Sequence, residues 1–588
     1  MVERPVDGGF LAPSQFPAIA LRADQRLFLQ LLVTIVVSIG NGSNFCFSLM
    51  SDALTHGGYN FGSADITFLG TLGVVASYFS LPTGLLYDAY GPKVTLAAGA
   101  VINALGWGYM ALLFGGHIEA TLGTVGIGVA ATQWAASFYE SGTILTNLEC
   151  FSLHRGSVIV IQTFMGLGSA IIAIFYAAFM APPQHPFYVF CIFSWIFNTS
   201  VGVAGALVVR RPTVSDLVIG INKDAAAPPG SSSVSSSSGG SPSPSVVAAT
   251  AAYRRAFRFG EAVLIAIVAV ILAGTFLQVV VPFSHLWRSL FAALVLFMLL
   301  LLPGMLLFLP GVLATGGEDA SSQPTINEAS RLIVVDGTAD AQTEASDHVT
   351  RKGAGDVRTA LQTTAAVPLN SSTLWTNLRA SRDLYLLWFI SFAVWSVGTV
   401  VASNIQLIYQ AVAGPQYSSV LNAAFVSIFA GGNAAGRLLV GFSLPWLLSR
   451  GGEVWHFLYV PPMLGVVGCG LMLVCPVQGL AVPFLMCGVT TGVTWGSTVL
   501  VVKRLYERSG AHYNVLYTAG LLSPFVFNIG LFKWNFEHAS AQQGVARTDQ
   551  CRGAPCFAWT MIALMGCCTV ALGAAWLFIR GVLRGATR

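Results

Sequence analysis

One acidic residue, Glu140, lies in the middle of a long apolar segment of the sequence. An ionisable side chain at such a position is costly, and it can bind a cationic group or exchange a proton. We therefore expect Glu140 to be a substrate or coupling residue. The alternative is a protonated glutamic acid that hydrogen-bonds a neighbouring helix. Amides within other apolar segments form a second set of candidates: Asn44, Gln133, Asn404 and Gln406. Each of these amides has an alternative role as a link between two helices.

The amino-acid composition indicates that these polar candidates lie within a membrane protein. Of the 588 residues, 55% are hydrophobic and only 9% are charged, and the mean hydropathy is +0.71. A soluble domain has roughly a quarter of its residues charged, so most of this surface must face lipid. The net charge of +4 is spread over short clusters, which makes a nucleic-acid partner improbable. The sequence predicts an integral membrane protein with the lipid bilayer as its surroundings.

Fourteen apolar segments are long enough to cross a bilayer, for which about 20 residues are needed. They group as six, two and six, and we predict an all-α protein of two six-helix bundles with two extra central helices. The expected spans are 27–50, 64–87, 94–114, 122–148, 157–180, 186–209, 261–282, 287–310, 384–412, 419–441, 455–475, 480–502, 512–532 and 557–580. The expected regions are a cytoplasmic N-terminus (1–26), an N-terminal bundle (27–210), a linker (211–260), the extra helices (261–310), a second linker (311–381) and a C-terminal bundle (382–588).

Lysine and arginine indicate the orientation, because they accumulate in short cytoplasmic loops. Placing both termini in the cytoplasm puts most basic residues on that side. Cys551 and Cys556 then lie in an outer loop, where they are either a disulfide pair or two free thiols. The ten cysteines show no zinc-site spacing, so neither a metal site nor a cofactor is expected.

Both linkers are polar and too poor in apolar residues to bury a core, so we expect disordered cytoplasmic segments. The second linker is acidic and contains "EASRLI", an acidic dileucine pattern formed by Glu328, Leu332 and Ile333. Such a pattern is typical of sorting signals read by adaptor proteins. The alternative is a chance match, because six-residue patterns arise often. The expected location is the plasma membrane or an endolysosomal membrane.

Small residues recur at helical spacing in both bundles, where they let helix backbones approach closely. The second helices of the two bundles also align, with Gly57 to Gly84 repeated as Gly414 to Gly441, as expected for two parallel six-helix repeats. The predicted packing glycines are Gly70, Gly73, Gly166, Gly168, Gly432 and Gly436.

The stretch "GLLYDAYGPK" breaks the apolar sequence with a charged turn formed by Gly84, Asp88, Gly91 and Lys93. It resembles the signature between helices two and three of the major facilitator superfamily. The resemblance implies that this turn is a conformational switch between two states of the transporter. The second half has Arg437 near the corresponding position but lacks the acid, so the predicted switch is one-sided. In this superfamily helices one and four and their C-terminal counterparts line the cavity, which places the five polar candidates there.

A closer resemblance is carried by residues 133–176, with Arg155-Gly156 and Gly166-Leu167-Gly168, and by segments such as "GGNAAGRLLVG" (431–441). These are similar to the nodulin-like branch of the superfamily. The resemblance implies a secondary transporter that uses alternating access, and it favours a monocarboxylate or amino-acid-like solute. Proton coupling is expected separately, from the position of Glu140 in an apolar segment. An exporter of iron or another transition metal and a non-transporting receptor are the alternatives. The sequence has no recognisable nucleophile-base set, so an enzyme is not expected.

Overall fold

The computed structural model describes residues 23–59, 61–151, 160, 163–182, 185–211, 244–309, 374–506, 509–545 and 551–586. Within these ranges the chain is built of helices. The first bundle begins with α1, which continues through a 3-10 turn at Gly42–Phe45 into α2. The helices of this bundle are α1 (Ala23–Asn41), α2 (Phe47–His56), α3 (Ser63–Tyr78), α4 (Leu81–Phe114), α5 (Leu122–Cys150), α6 (Phe164–Phe179) and α7 (Tyr188–Val208).

Two helices follow the first bundle, and a second bundle completes the chain. The central pair is α8 (Pro244–Val280) and α9 (His285–Leu300). The second bundle contains a short α10 (Leu374–Ala380), then α11 (Arg382–Ala413), α12 (Ser419–Ser449), α13 (Val460–Val474), α14 (Ala481–Leu505), α15 (Ser509–Pro524), α16 (Trp534–Gln542) and α17 (Ala558–Ala586). A π-helix, Phe525–Lys533, joins α15 to α16.

Twelve helical segments among the described residues are long and apolar enough to cross a membrane. The chain is therefore a multi-pass, all-α integral membrane protein. Two more predicted spans are also helical, the long α5 and the shorter apolar α6. The count of fourteen and the cytoplasmic placement of both termini stay predictions. The two linkers, the dileucine pattern and Arg155-Gly156 lie mostly or wholly outside the described residues.

The predicted turn between the second and third spans is visible as a break inside α4. Gly91 has φ +81° and ψ −176°, which is a backbone conformation open essentially to glycine alone. Pro92 follows directly and suits the first turn of a new helix, because it has no N–H to leave unpaired. Arg211, just after α7, donates from Nη2 to the carbonyl oxygen of Tyr87 at 2.7 Å. One arginine thus holds a carbonyl in the last turn before the break.

Glycines bring the backbones of α12 and α14 into contact. A Cβ added to Gly432 would lie 2.5 Å from the carbonyl oxygen of Leu485, and one on Gly436 would lie 2.7 Å from the amide nitrogen of Val493. Carbon cannot approach oxygen or nitrogen so closely without a shift of the helix. The predicted packing role of these two glycines agrees with this geometry.

The remaining packing glycines also lie at helix contacts. A Cβ on Gly168 would meet the carbonyl oxygen of Ser38 at 2.7 Å, and one on Gly166 would meet the Asn433 side chain at 3.0 Å. A Cβ on Gly70 or Gly73 would likewise have its nearest side-chain atom at 3.0 Å.

The extra helices lie beside the contact between the two bundles. Helix α8 packs on α12 and α9 packs on α6, while α6 and α12 pack on each other. Leu264, Ile267 and Ile271 of α8 belong to a buried apolar cluster that also includes residues of α1, α6 and α12. The pair therefore extends the membrane-embedded body next to the interface and leaves the interior between the bundles to other helices.

Cys551 and Cys556 form a disulfide bond. The structure thus has the bonded alternative of the two that the sequence left open. The bridge lies before α17, and Gly553 donates its N–H to the carbonyl oxygen of Ala411 at 2.8 Å. The bonded loop consequently rests on the end of α11.

Candidate functional site

A cavity lies between the two bundles and has about 1250 Å³ of space between atoms, part of it open to solvent. Helices α2, α3, α5 and α6 line it from the first bundle, and α11, α12, α14 and α15 line it from the second. Side chains of both polar and apolar type line this concave space, as they do in small-molecule sites. Its position between the repeats is where substrates bind in transporters built from two such bundles.

Glu140 of α5 and Arg437 of α12 both line this cavity, from opposite bundles. The two side chains are close enough to interact electrostatically. Arg437 also receives support from its own bundle, because its Nε donates to Oδ1 of Asn433 at 3.2 Å and its guanidinium lies 5.8 Å from the Trp495 ring centroid. The cavity therefore contains an acid and a base, one contributed by each half of the molecule.

Of the four candidate amides, Gln133 lines the cavity. Its Nε2 donates to the backbone carbonyl of Asn44, which ties α5 to the 3-10 turn after α1. The turn is itself fixed, because Oδ1 of Asn44 accepts from Trp107 Nε1 at 2.8 Å and its Nδ2 donates to Asn41 at 2.9 Å. Asn44 thus supports the wall of the cavity, and it is not one of its lining residues among those described.

Asn404 and Gln406 are buried in α11 and likewise stand behind the described cavity lining. Asn404 has φ −120° and ψ 16° and marks a kink in the helix. Its Nδ2 donates to Oδ1 of Asn528, in the π-helix, at 3.1 Å. Gln406 donates from Nε2 to Gln410 at 2.6 Å. For Asn404 the structure shows the helix-linking arrangement that the sequence offered as the alternative, whereas the hydrogen bond of Gln406 stays within α11. A direct role of either residue in binding stays a prediction.

Four aromatic rings form one wall of the cavity: Tyr78, Trp395, Trp495 and Tyr517. Every pair of these rings has centroids between 5.6 and 6.3 Å apart. Tyr78 belongs to the first bundle and the other three to the second, so the cluster bridges the halves. Among the described residues, no hydrogen-bond acceptor lies within reach of the buried Nε1 of Trp395. The wall therefore combines apolar ring faces with one unused donor.

The predicted switch residues divide between two places. Gly84, Asp88, Gly91 and Lys93 lie at the α4 turn, where Lys93 is exposed. Arg437 lies instead in the cavity, well before the end of α12 at Ser449. Its spacing from Gly441 suggested the turn, but the helix continues past Gly441, which leaves Arg437 inside the membrane-spanning part.

Sequence reasoning missed Arg437 as a cavity residue and did not single out the aromatic wall. The sequence does contain a signal for Arg437, because it is a basic residue in the interior of an apolar span. By the reasoning applied to Glu140, such a residue is a candidate for the binding site. The four aromatics belong to three separated segments of sequence in the second bundle and one in the first. No spacing along the chain brings them together.

No group of three or more His, Cys, Asp or Glu side chains that could hold a metal ion occurs in the part of the chain that the structure describes. Within the described cavity lining, Glu140 has Arg437 as its charged neighbour. A guanidinium repels metal cations and attracts carboxylates.

The family model described as Nodulin-like matches residues 27–219 of the chain. This stretch covers the first bundle, including α5 with Glu140 and the α4 turn. No curated protein sequence matches the chain.

Solved structures of transporters align with most of the chain at low sequence identity. The nucleoside transporter NupG has 13% sequence identity and a TM-score of 0.41, with 94% of this chain and 99% of that chain covered. An auto-inhibited peptide transporter of the POT family has 13% identity and a TM-score of 0.48, with 95% and 97% covered. The POT family transporter PepTSo has 11% identity and a TM-score of 0.47, with 95% and 98% covered.

Proposed function

We propose that this chain, whose residues 27–219 match the Nodulin-like family model, is a transporter of the major facilitator type that moves a small monocarboxylate or amino-acid-like solute by alternating access. In this proposal the solute binds in the cavity between the two bundles. The bundles then rock about it and open the cavity to one side of the membrane and then to the other.

The observation that carries this proposal is the presence of Arg437 and Glu140 in one cavity, on opposite bundles. A guanidinium offers two parallel N–H donors to a carboxylate. The Glu140 carboxylate binds the ammonium group of an amino-acid-like solute. When the solute is a monocarboxylate without an ammonium group, Glu140 takes up a proton instead. The pair thus suits a solute that carries a carboxylate.

Binding at this pair links the solute to the movement of the bundles. In the absence of solute, Glu140 is the counter-ion for Arg437 and holds the two halves together electrostatically. A carboxylate that occupies Arg437 replaces this counter-ion and leaves Glu140 to bind the solute's cation or a proton. A change of partner at the interface alters the relative stability of two states, which is what alternating access requires.

The aromatic wall and the unused donor of Trp395 favour an organic solute. Ring faces provide apolar contact, and the indole N–H needs an acceptor such as a carboxylate or carbonyl oxygen. A transition-metal substrate is disfavoured by Arg437, because the cation in the cavity repels a second cation. Transport is also preferred over catalysis, since the cavity charges match a binding site for a carboxylate.

Flux into proteoliposomes tests the proposal. The panel contains L-lactate, L-alanine and ferrous iron, each with and without a pH gradient. We expect flux of a carboxylate solute by the parent chain and its loss in Glu140→Gln. The matched control is Glu119→Gln, which removes an exposed acid outside the cavity. Flux of iron alone, or no flux of any member of the panel, would contradict the proposal, and the second result would favour a receptor.

A further inference from the structure

A second cluster of ionisable groups joins the two bundles away from the cavity. It lies at the mouth formed by the end of α2 and the loop between α11 and α12, which the charge pattern of the loops predicts to face outward. Oδ1 of Asp52 accepts a hydrogen bond from the hydroxyl of Tyr417 at 2.6 Å. The same oxygen lies 2.9 Å from Nδ1 of His56. One carboxylate oxygen therefore has an imidazole from its own helix and a phenol from the other bundle.

The surroundings of Asp52 separate it from water while His56 reaches the surface. Asp52 is 3% exposed, whereas the His56 side chain is 40% exposed. The His56 and Tyr417 rings are stacked with centroids 4.6 Å apart. The exposed imidazole thus lies between the solution and the buried carboxylate.

The other groups that face Asp52 are phenols. Tyr409 of α11 and Tyr176 of α6 interact with it electrostatically, as does Tyr417. Burial, and after it the Asp52 carboxylate, raise the pKa of Tyr417 well above its usual value. The phenol consequently keeps its proton and acts as a donor.

A neighbouring contact closes the same mouth without ionisable groups. Ser48 donates its hydroxyl to Oδ1 of Asn422 at 3.0 Å, and Nδ2 of Asn422 donates to the carbonyl oxygen of Ser48 at 3.0 Å. Both residues are buried. The contact between Ser48 and Asn422 does not change with pH, because neither side chain is ionisable. The Asp52 cluster is the part of this closure that can take up a proton.

We propose that Asp52, His56 and Tyr417 form a proton-binding latch that closes this mouth of the transporter and opens when Asp52 is protonated. The exposed imidazole gains a proton on Nε2 and gives its Nδ1 proton to Oδ1 of Asp52. The products are a neutral imidazole and a neutral carboxylic acid, with one proton taken from solution. The protonated oxygen is a weaker acceptor than a carboxylate oxygen, so Tyr417 is released and the bundles separate at this mouth.

Distances between spin labels across the mouth test the latch without any solute. Labels are attached at Leu122→Cys and Val482→Cys, two exposed positions on opposite bundles, in a chain whose half-buried thiols Cys475 and Cys567 are replaced by serine. Electron double resonance is recorded on the protein in nanodiscs at about pH 7.5 and about pH 5.5, on either side of the usual histidine range.

In the parent we expect a short distance between the two labels at the higher pH. At the lower pH a second distance, longer by about 5 Å or more, should gain population. Asp52→Asn, a neutral isostere, should show the longer distance at both pH values. Tyr417→Phe should shift the population roughly tenfold at the higher pH, because it removes a hydrogen bond to a charged group. Tyr59→Phe is the matched control, since the Tyr59 hydroxyl bonds Phe114 within one bundle.

A parent distance that does not change with pH would overturn the proton role. A Tyr417→Phe distribution equal to that of Tyr59→Phe would overturn the latch, and this variant keeps the Asp52 and His56 pair if Asp52→Asn does not fold. Because no solute is present, these results are independent of the outcome of the flux assay.

Discussion

Glu140 and Arg437 line one cavity from opposite six-helix bundles and interact electrostatically across it. This relationship connects two parts of the chain that are far apart in sequence. It also gives the cavity a base for a carboxylate and an acid for a cation or proton. In the proposed function the solute binds to this pair, whereas the contacts of Asn44 and Asn404 hold the walls of the cavity in shape.

The turn inside α4 should tolerate glycine only. Replacing Gly91 by alanine places a Cβ in a conformation with φ +81°, which costs about 1 to 3 kcal/mol. We expect the Gly91→Ala protein to unfold at a lower temperature than the parent in the same detergent. The control is Gly573→Ala, because a Cβ at that helical position meets nothing within 4 Å. Equal melting temperatures for the two variants would show that the turn can relax.

The packing of α12 against α14 should also be lost when one of its glycines is replaced by a larger residue. Gly436→Leu forces the two backbones apart, since even a Cβ would lie 2.7 Å from the Val493 nitrogen. We expect little monodisperse protein by size-exclusion chromatography. Gly566→Leu, at an open position of α17, should leave the elution profile unchanged. A normal profile for Gly436→Leu would contradict the described packing.

The disulfide should stabilise the loop before α17. Cross-linking a loop of this length contributes about 2 kcal/mol in the chain-entropy description. We therefore expect Cys551→Ser/Cys556→Ser to melt at a lower temperature than the parent, and the parent to approach the variant after reduction. Cys475→Ser, which removes a free thiol, is the control. An unchanged melting temperature in the double variant would argue against a stabilising bridge.

Much of the fold follows from the sequence because it depends on local properties. Apolar length predicts spans, and the predicted segments coincide with helices in the described residues. The glycine and proline of the α4 turn are similarly local signals, since one allows a positive φ and the other begins a helix. These features need no knowledge of what packs against them.

The site depends on contacts between distant segments, and there the sequence was less informative. Glu140 and Gln133 line the cavity, whereas Asn404 is hydrogen-bonded to Asn528 and Asn44 to Trp107. A role of any of them in binding stays a prediction. Their types suit either binding or helix linking, and only the rotation of each helix decides between them. Arg437 shows the same difficulty, because the sequence indicated neither how far α12 continues beyond it nor which face of the helix it lies on.

The central claim is that Arg437 recognises a carboxylate, and binding calorimetry on the purified protein tests it most directly. Affinities are compared for L-lactate and lactamide, and for L-alanine and alaninamide, in the parent and in Arg437→Gln. We predict that the parent binds at least one acid more tightly than its amide, and that the variant loses about tenfold to a hundredfold of this preference, the value of a hydrogen bond to a charged group. An Arg437→Gln protein that still prefers the acid as strongly as the parent would contradict the account.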